Sequence, residues 1–594
     1  MWYEQAFLLG LLACLLGFFM WGRWRYDLVA VVALLIAVVA GAVPAAEAFL
    51  GFGHPATVTV ALVLIIGRAL INSGAVGLIA RHLLPPIKST TGHIGVLSGV
   101  AGMLSTVMNN VGALAMLMPA ALASADKASR SPALVLMPLS FASILGGLVT
   151  LIGTPPNIIV ATFRGRETGT PFSMFDFTPV GIVVAVSGIV FIALVGWRLI
   201  PKARRAAMTP RDMFHIEDYV TEARVTEDSR AAGETLSQLE EWAAEHDADI
   251  LAVIRNNGRI DRPGRETEIR DDDVIVIRAG SEALEDVLSA LELKPGDTGD
   301  SDKSSVFGGD QFALIEAAIP TNCWIEGRSP ASLKLRRRFG ASLIAVARQG
   351  QPFHGRLKDV RFRTGDILLL QGNAERLQEM VSALGCLPLA DRFPQIDTRR
   401  FAVPSVLIFA GAIAAATLNL VAIPIALALA AATMVVLGII SLREVYEAVD
   451  WPVIVLLGSM IPFGTALESS GTTALLANGL VGFAADVSPV VILVFVMVLT
   501  MTLSDIINNA ATAVVMAPIS MAIAANLQCN PDTFLMAVAI GASCAFLTPI
   551  GHQNNTLVLG PGGYKFGDYW RMGLPLEILI VGVATPMLLW VWPL

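Results

Sequence analysis

MNNVGALAMLMP at residues 108–119 and INNAATAVVMAP at residues 507–518 are two versions of one segment, and the fold follows from what surrounds them. Each lies in an apolar run, 92–125 and 488–525. About 20 apolar residues cross a bilayer core, so each run is too long for one span. Asn109-Asn110 and Asn508-Asn509 interrupt the runs at their middles, and each run reads as a re-entrant hairpin. Two further segments recur in the same order. IGRALINSGAVGLIA (66–80) matches FGTALESSGTTALLA (463–477), and TLIGTPPN (150–157) matches TPIGHQNN (548–555). The three offsets, 397, 399 and 398, are nearly constant.

Other apolar stretches fill out two sets. Spans are predicted near 3–21, 26–46, 56–78, 132–163 and 178–198, then near 402–418, 421–441, 451–469, 531–562 and 573–592. The stretch near Met1 lacks a basic start and precedes Arg23 and Arg25, so it reads as a retained helix rather than a signal peptide. One choice of sidedness gathers Arg23, Arg25, Arg81, Lys88, Lys127, Arg130, Arg198, Lys202, Arg204, Arg205, Arg399, Arg400, Arg443, Lys565 and Arg571 inside, leaving Arg164 and Arg166 outside. It puts both termini outside and gives the halves opposite topology. Paired, inverted, interrupted repeats are a transporter pattern. The expected architecture is a polytopic α-helical membrane protein of the inner (plasma) membrane. Its repeats cover 1–200 and 398–594, each with a re-entrant hairpin and a broken helix.

Composition agrees. The 594 residues are 55% hydrophobic and 15% charged, with a net charge of −8. Ordinary globular chains are nearer a quarter charged. The acidic balance excludes a basic nucleic-acid footprint, so no nucleic-acid partner is expected. Cys14, Cys323, Cys386, Cys529 and Cys544 show no metal or redox spacing and read as isolated packing thiols. No nucleophile–base set or metal cluster suggests an enzyme.

Most charge lies in 202–400, a cytoplasmic insert that also repeats itself. DADILAVIRNNG (247–258) matches GASLIAVARQGQ (340–351), and DDDVIVI (271–277) matches the RTGDILLL segment (363–370), at an offset of 93. Short apolar strands flank polar turns, and LSQLEEWAAEH reads as a helix. GDTGDSDKSS (296–305) reads as a linker. The units, 207–295 and 306–392, resemble TrkA-C (RCK C-terminal) domains, small α/β modules. That resemblance implies regulation by a small ligand, a nucleotide among the candidates. No TVGYG-type filter supports a potassium channel.

The chemistry points to the tips. Backbone groups at a hairpin tip inside a membrane are tolerated only beside a polar cavity. Exposed carbonyls there suit a hard cation, and helix N-terminal amides suit an anion. Asn side chains supply donors and an acceptor. Ser105 and Ser504 each lie one helical turn before their asparagine pair. GTPPN (153–157) and GHQNN (551–555) mark helix breaks, the first through its prolines. Asp505 and Arg68 are charges within apolar runs and become functional candidates.

With these motifs the chain resembles the divalent anion/sodium symporter (DASS) family of the ion-transporter superfamily, in the branch carrying TrkA-C insertions. The family's tip motif is Ser-Asn-Thr; here it is Asn109-Asn110-Val111 and Asn508-Asn509-Ala510. The resemblance implies one sodium held by Ser105, Asn109, Asn110 and the Gly153 carbonyl. It implies a second held by Ser504, Asn508, Asn509 and the Gly551 carbonyl. It implies substrate contacts from Asn110, Val111, Thr154, Asn157, Asn509, Ala510, His552 and Asn555, with His552 in place of a family threonine. Val111 and Ala510 lack the hydroxyl that serves a substrate carboxylate. The expected activity is therefore sodium-coupled symport of a small divalent anion, sulfate first, by elevator-type alternating access in a homodimer. A dicarboxylate symporter and a non-transporting anion sensor are the alternatives. A donating His552 would weaken sulfate binding as pH rises past about 6.5.

Overall fold

The computed structural model describes residues 2–21, 23–74, 89–128, 130–205, 220–389 and 401–594. Short breaks fall at 227–228, 246–247, 256–257, 261–265, 280–290, 296–311, 321–322, 340, 349–350, 353–359, 374–376, 378–379, 382, 419, 476–478 and 480–486. The expected linker 296–305, Arg81, Lys88, Arg399, Arg400 and the ends of the first matched pair lie outside the described residues. The chain divides into two units, Met1–Ala206 with Ala390–Leu594, and Ala207–Leu389.

In the first unit the apolar runs become helices. Before the insert these are α1 (Trp2–Trp21), α2 (Tyr26–Val39), α3 (Pro55–Asn72), α4 (Thr90–Ser105), α5 (Asn110–Lys127), α6 (Ala133–Gly146), α7 (Pro155–Thr168) and α8 (Thr178–Leu194). After it come α9 (Ala402–Thr417), α10 (Ile423–Val436), α11 (Leu442–Ala448), α12 (Trp451–Ser469) and α13 (Pro489–Ile506). The set closes with α14 (Asn509–Asn526), α15 (Pro531–Ser543), α16 (Gln553–Leu559) and α17 (Trp570–Val591). Among the described residues, six helices are long and apolar enough to cross a membrane: Tyr3–Trp21, α3, α12, α13, α14 and α17. Prolines open α3, α7, α13 and α15, where a missing N–H costs nothing. The stretch predicted as 26–46 is helical only to Val39, because Gly41 turns the chain at φ 77° and Pro44 follows. The expected spans 132–163 and 531–562 are each two helices, with breaks at Thr150–Thr154 and Cys544–His552.

Elements recur across the insert. α4, α5, α6 and α7 are followed at the same offset by α13, α14, α15 and α16. Glycines let their backbones touch: a Cβ on Gly146 of α6 would fall 2.1 Å from the Gly102 carbonyl of α4, and one on Gly541 of α15 2.8 Å from the Met497 carbonyl of α13. Close approach of this kind is how helices pack in lipid. Tyr564 ties the halves together, donating to the Ala133 carbonyl at 2.5 Å and accepting from Met137 N–H at 2.9 Å. Phe141 and Phe546 meet with ring centroids 4.7 Å apart. Outward-facing Val39, Val436 and Trp590 are 77–89% exposed, an apolar surface suited to hydrocarbon rather than water.

The second unit holds two antiparallel sheets. The first comprises β1 (Val220–Arg224), β2 (Ala248–Arg255), β3 (Gly258–Ile260), β4 (Val274–Ala279) and β5 (Lys294–Pro295), ordered β3-β2-β4-β1-β5. The second comprises β6 (Phe312–Ala318), β7 (Ser342–Arg348), β8 (Gln351–Pro352), β9 (Ile367–Asn373) and β10 (Leu387–Pro388), ordered β10-β6-β9-β7-β8. Read in reverse, the second order is the first. Each central pair carries an irregularity at the same place, Ile250/Ala252 and Leu343/Ala345. The helix expected from LSQLEEWAAEH is Leu236–Glu245. Arg255 grips Asp273 through two hydrogen bonds of 2.8 and 2.6 Å, and Arg348 grips Asp366 through two of 2.7 Å. Burial pushes the Asp273 carboxyl up, but the Arg255 guanidinium and the Arg270 amide outweigh it and hold it below the usual carboxylate range.

Candidate substrate and ion site

Both tips are built alike. After α4 the chain turns through Thr106–Asn109, and α5 begins at Asn110. Asn109 Oδ1 accepts from Val111 N–H at 3.1 Å, and Asn508 Oδ1 accepts from Ala510 N–H at 2.9 Å. The first asparagine of each pair is thus a helix cap, satisfying an amide that the membrane interior would leave bare. The second asparagines, Asn110 and Asn509, open the helices.

Both broken helices are also fastened alike. Asn157 Nδ2 donates to the Gly147 and Thr150 carbonyls at 3.3 and 2.8 Å. Asn555 Nδ2 donates to the Ala545 and Thr548 carbonyls at 3.0 and 3.2 Å. Thr150 Oγ1 donates to the Thr106 carbonyl at 2.5 Å, and Thr548 Oγ1 to the Asp505 carbonyl at 2.6 Å, so each break is pinned to its own tip. The glycines are required by this closeness. A Cβ on Gly147 would meet Asn110 Oδ1 at 2.3 Å, and one on Gly551 would meet the Ser504 carbonyl at 2.7 Å.

The tips meet at one cavity. Its lining is Asn109, Asn110 and Val111 from the first tip, Asn508, Asn509 and Ala510 from the second, and His552, Gln553 and Pro155 from the broken helices. Val60, Leu64, Asp450 and Val453 come from α3 and the start of α12. Of the residues expected from the sequence, Asn109, Asn110, Val111, Asn508, Asn509, Ala510 and His552 are therefore gathered around one space. Ser105, Gly153, Thr154, Asn157, Ser504, Gly551 and Asn555 lie outside this lining. Thr154 Oγ1 and Asn157 Oδ1 are buried with no hydrogen-bond partner in the structure, two oxygens left open beside the first break.

His552 reaches across the halves, its Nε2 lying 3.3 Å from Asn110 Nδ2. Asn554 N–H donates to His552 Nδ1 at 3.1 Å, and the Asn110 amide lies between the ring and Ser105, whose Oγ donates to Asn110 Oδ1 at 2.8 Å.

Four participants escaped the sequence reading. Asn554 Nδ2 bridges the Asn110 carbonyl (3.2 Å) and Ser143 Oγ (2.7 Å). Asp450 and Gln553 line the cavity. Glu577, from α17, joins Asp505 at the second break. Asp505 and Glu577 are 3% and 8% exposed and accept from consecutive amides of the second break, Leu547 N–H at 2.9 Å and Phe546 N–H at 3.2 Å. Arg68, the other intramembrane charge, is exposed on α3. Arg164 is paired with Asp532 at 2.8 Å and lies over the Phe172 ring.

Electrostatically the cavity is unusual. Among the described residues its lining includes no Lys or Arg. Instead it collects the N-terminal residues of α5, α7 and α14, toward which those helices turn the positive ends of their dipoles. The N-terminus of α12 is there too, with Asp450 as its own counter-charge.

A protein-family profile described as citrate transporter matches residues 16–541 and 487–593. The chain is 32% identical over 574 residues to an uncharacterized transporter of Synechocystis sp., covering 95% of this chain and 93% of that one. It is 25% identical to a putative sulfur deprivation response regulator of Chlamydomonas reinhardtii over 92% of this chain and 95% of the other. It is 24% identical to sodium/sulfate cotransporter 2 of the same alga over 56% of this chain and 39% of that one.

Proposed function

Because the chain belongs to the citrate transporter family of membrane proteins, and is a transporter rather than an enzyme, we propose that it is a sodium-coupled symporter of a small divalent anion, sulfate first. The observation that carries this reading is the convergence of three helix N-termini and two asparagine tips on a cavity lined, among the described residues, by no cationic side chain. A small anion is held there by amides and dipoles. A second negative charge beside Asp450 calls for a cation bound with it.

Two places support such cations. One is the first break, where Ser105, Asn109, Asn110, the Gly153 carbonyl and the open oxygens of Thr154 and Asn157 are candidate ligands. The other is the second, with Ser504, Asn508, Asn509 and the Gly551 carbonyl, beside the buried carboxyls of Asp505 and Glu577. Val111 and Ala510 leave the cavity without the hydroxyls that would serve a carboxylate at each end of a longer molecule. Asn110, Asn509 and His552 supply compact donors for a tetrahedral anion, with Thr154 and Asn157 behind them and Asn555 holding the second break.

The recurring helices form two inverted repeats, with elevator-type alternating access in a homodimer. Both termini lie outside and the β-sheet unit in the cytoplasm. That unit, as two TrkA-C-like domains, regulates transport through a small ligand such as a nucleotide, which acts only by binding two transporter states unequally.

Uptake of labelled sulfate into proteoliposomes, with an inward sodium gradient or with potassium in its place, tests the reading. Sodium-dependent sulfate uptake resisting excess succinate is expected. Uptake that succinate blocks more strongly than sulfate would favour the dicarboxylate reading. The relative described as a sulfur deprivation response regulator favours an anion sensor. Sulfate binding without flux is its signature.

A further inference from the structure

The cysteines of the second sheet are not isolated. Cys323, in the turn after β6, donates its thiol to the Leu384 carbonyl at 3.1 Å, with the Gly385 carbonyl at 3.6 Å. A Cβ on Gly385 would lie 3.5 Å from that sulfur. Gly385 adopts φ 71°, a turn that sets the next residue, Cys386, beside Cys323, whose sulfur lies 3.6 Å from the Gly385 carbonyl oxygen. Both residues are buried, 9% and 5% exposed.

The first sheet shows what this place requires structurally. There Ser229 follows β1, and its hydroxyl donates to the Leu291 carbonyl at 2.7 Å, the same tie that Cys323 makes. Leu293, 5% exposed, precedes β5 as Cys386 precedes β10. Serine and leucine suffice to fold the turn. The paired thiols therefore add chemistry that packing does not need.

We propose that Cys323 and Cys386 are a reversible dithiol–disulfide pair, oxidised by peroxide-class oxidants and reduced by cellular dithiols. The Cys323 thiolate attacks one peroxide oxygen, breaking the O–O bond. The sulfur becomes a sulfenic acid, and the departing hydroxide takes up a proton to leave as water. The Cys386 sulfur then attacks the Cys323 sulfur, forming the S–S bond and releasing the sulfenic oxygen as a second water. Two thiols are oxidised and one peroxide is reduced to two waters. Exchange with an external dithiol restores both thiols. Cys386 beside it draws the Cys323 thiol down, against the opposing pull of burial, which favours its thiolate as the attacking form. The bond would staple the turn after β6 to the approach of β10, just before the chain leaves this unit at Leu389.

The test uses the full-length protein in membranes, treated with hydrogen peroxide, alkylated and mapped by mass spectrometry. The expected result is a peptide pair linked through Cys323 and Cys386, two hydrogens lighter than the free peptides, abolished by dithiothreitol. Cys323→Ser and Cys386→Leu copy the first sheet, and each should remove the linked species. Wild-type protein in which both cysteines alkylate independently after peroxide would overturn the proposal. So would Cys323 running on to the sulfinic acid with Cys386 still free.

Discussion

At the first tip Ser105 is hydrogen-bonded to the Asn110 amide, whereas at the second Ser504 donates past the asparagine to the Ala542 carbonyl at 2.6 Å. Asn110 is 1% exposed and held between Ser105 and His552, while its carbonyl accepts from Asn554. The Asn509 side chain is half-buried, faces the cavity, and makes no hydrogen bond among the described residues. One sequence motif therefore does two jobs. The first asparagine is wired into the scaffold between the halves, and the second is left open to whatever enters. The asymmetry has a source in single residues: His552 stands where the first half has Thr154, and Asp505 where it has Thr106.

The sharpest way to break that comparison is to truncate both asparagines. Asn110→Ala strands partners in the Ser105 and His552 side chains, each unmet group costing about 1–3 kcal/mol. It should lower the melting temperature as well as cutting uptake by roughly 10- to 100-fold. Asn509→Ala should cut uptake comparably and leave the melting temperature near that of the parent. Equal melting shifts for the two would erase the distinction between wired and open amides.

The acid at the second tip offers the next largest effect. Asp505→Asn should raise the sodium concentration for half-maximal uptake by about tenfold, the loss of one charge-assisted contact. Thr106→Ala should change it less than about twofold, since the Thr106 hydroxyl only back-bonds to Met103 within its own helix end. Flux against sodium concentration decides this, and identical curves for Asp505→Asn and the parent would remove the acid from the coupling machinery.

Asp450 bears on the cavity between the tips. Removing its charge beside a divalent anion should tighten sulfate several-fold, because charges several ångström apart interact by about 1–3 kcal/mol near a wetted protein surface. Competition assays on Asp450→Asn would show it. Weaker binding would mean that the carboxylate holds Gln553 in place more than it repels the substrate. The smallest effect is a change of preference. Val111→Thr with Ala510→Thr should shift competition toward succinate by about fivefold, the worth of one hydrogen bond.

Much of this site was legible because apolar runs report spans directly and the asparagine pairs interrupt them at the same place in both halves. The insert's duplication was legible through Arg255, Asp273 and their counterparts Arg348 and Asp366, whose spacing is fixed by the shared strand order. What could not be read depends on distances across the chain. Asn110 and His552 are 442 residues apart, and nothing in either motif says that a histidine ring faces the other tip. Asn554 sits beside the more visible Asn555, and only a packed structure shows which of two adjacent amides faces Asn110. Cys323 and Cys386 have no motif spacing because a glycine turn, not a helix period, brings them together.

The paired Asn157 and Asn555 clamps carry a thermodynamic consequence. Each amide already holds two loop carbonyls of its broken helix, so those loops are ordered before any ion arrives. Ordering a backbone residue costs about 1–2 kcal/mol, and a ligand that must freeze a loop gives up that much of its gross affinity per residue. Here the cost is met during folding, and an arriving cation keeps more of its interaction energy. Calorimetry on the intact protein should find ion binding with little entropic penalty, and Asn157→Ala should introduce one.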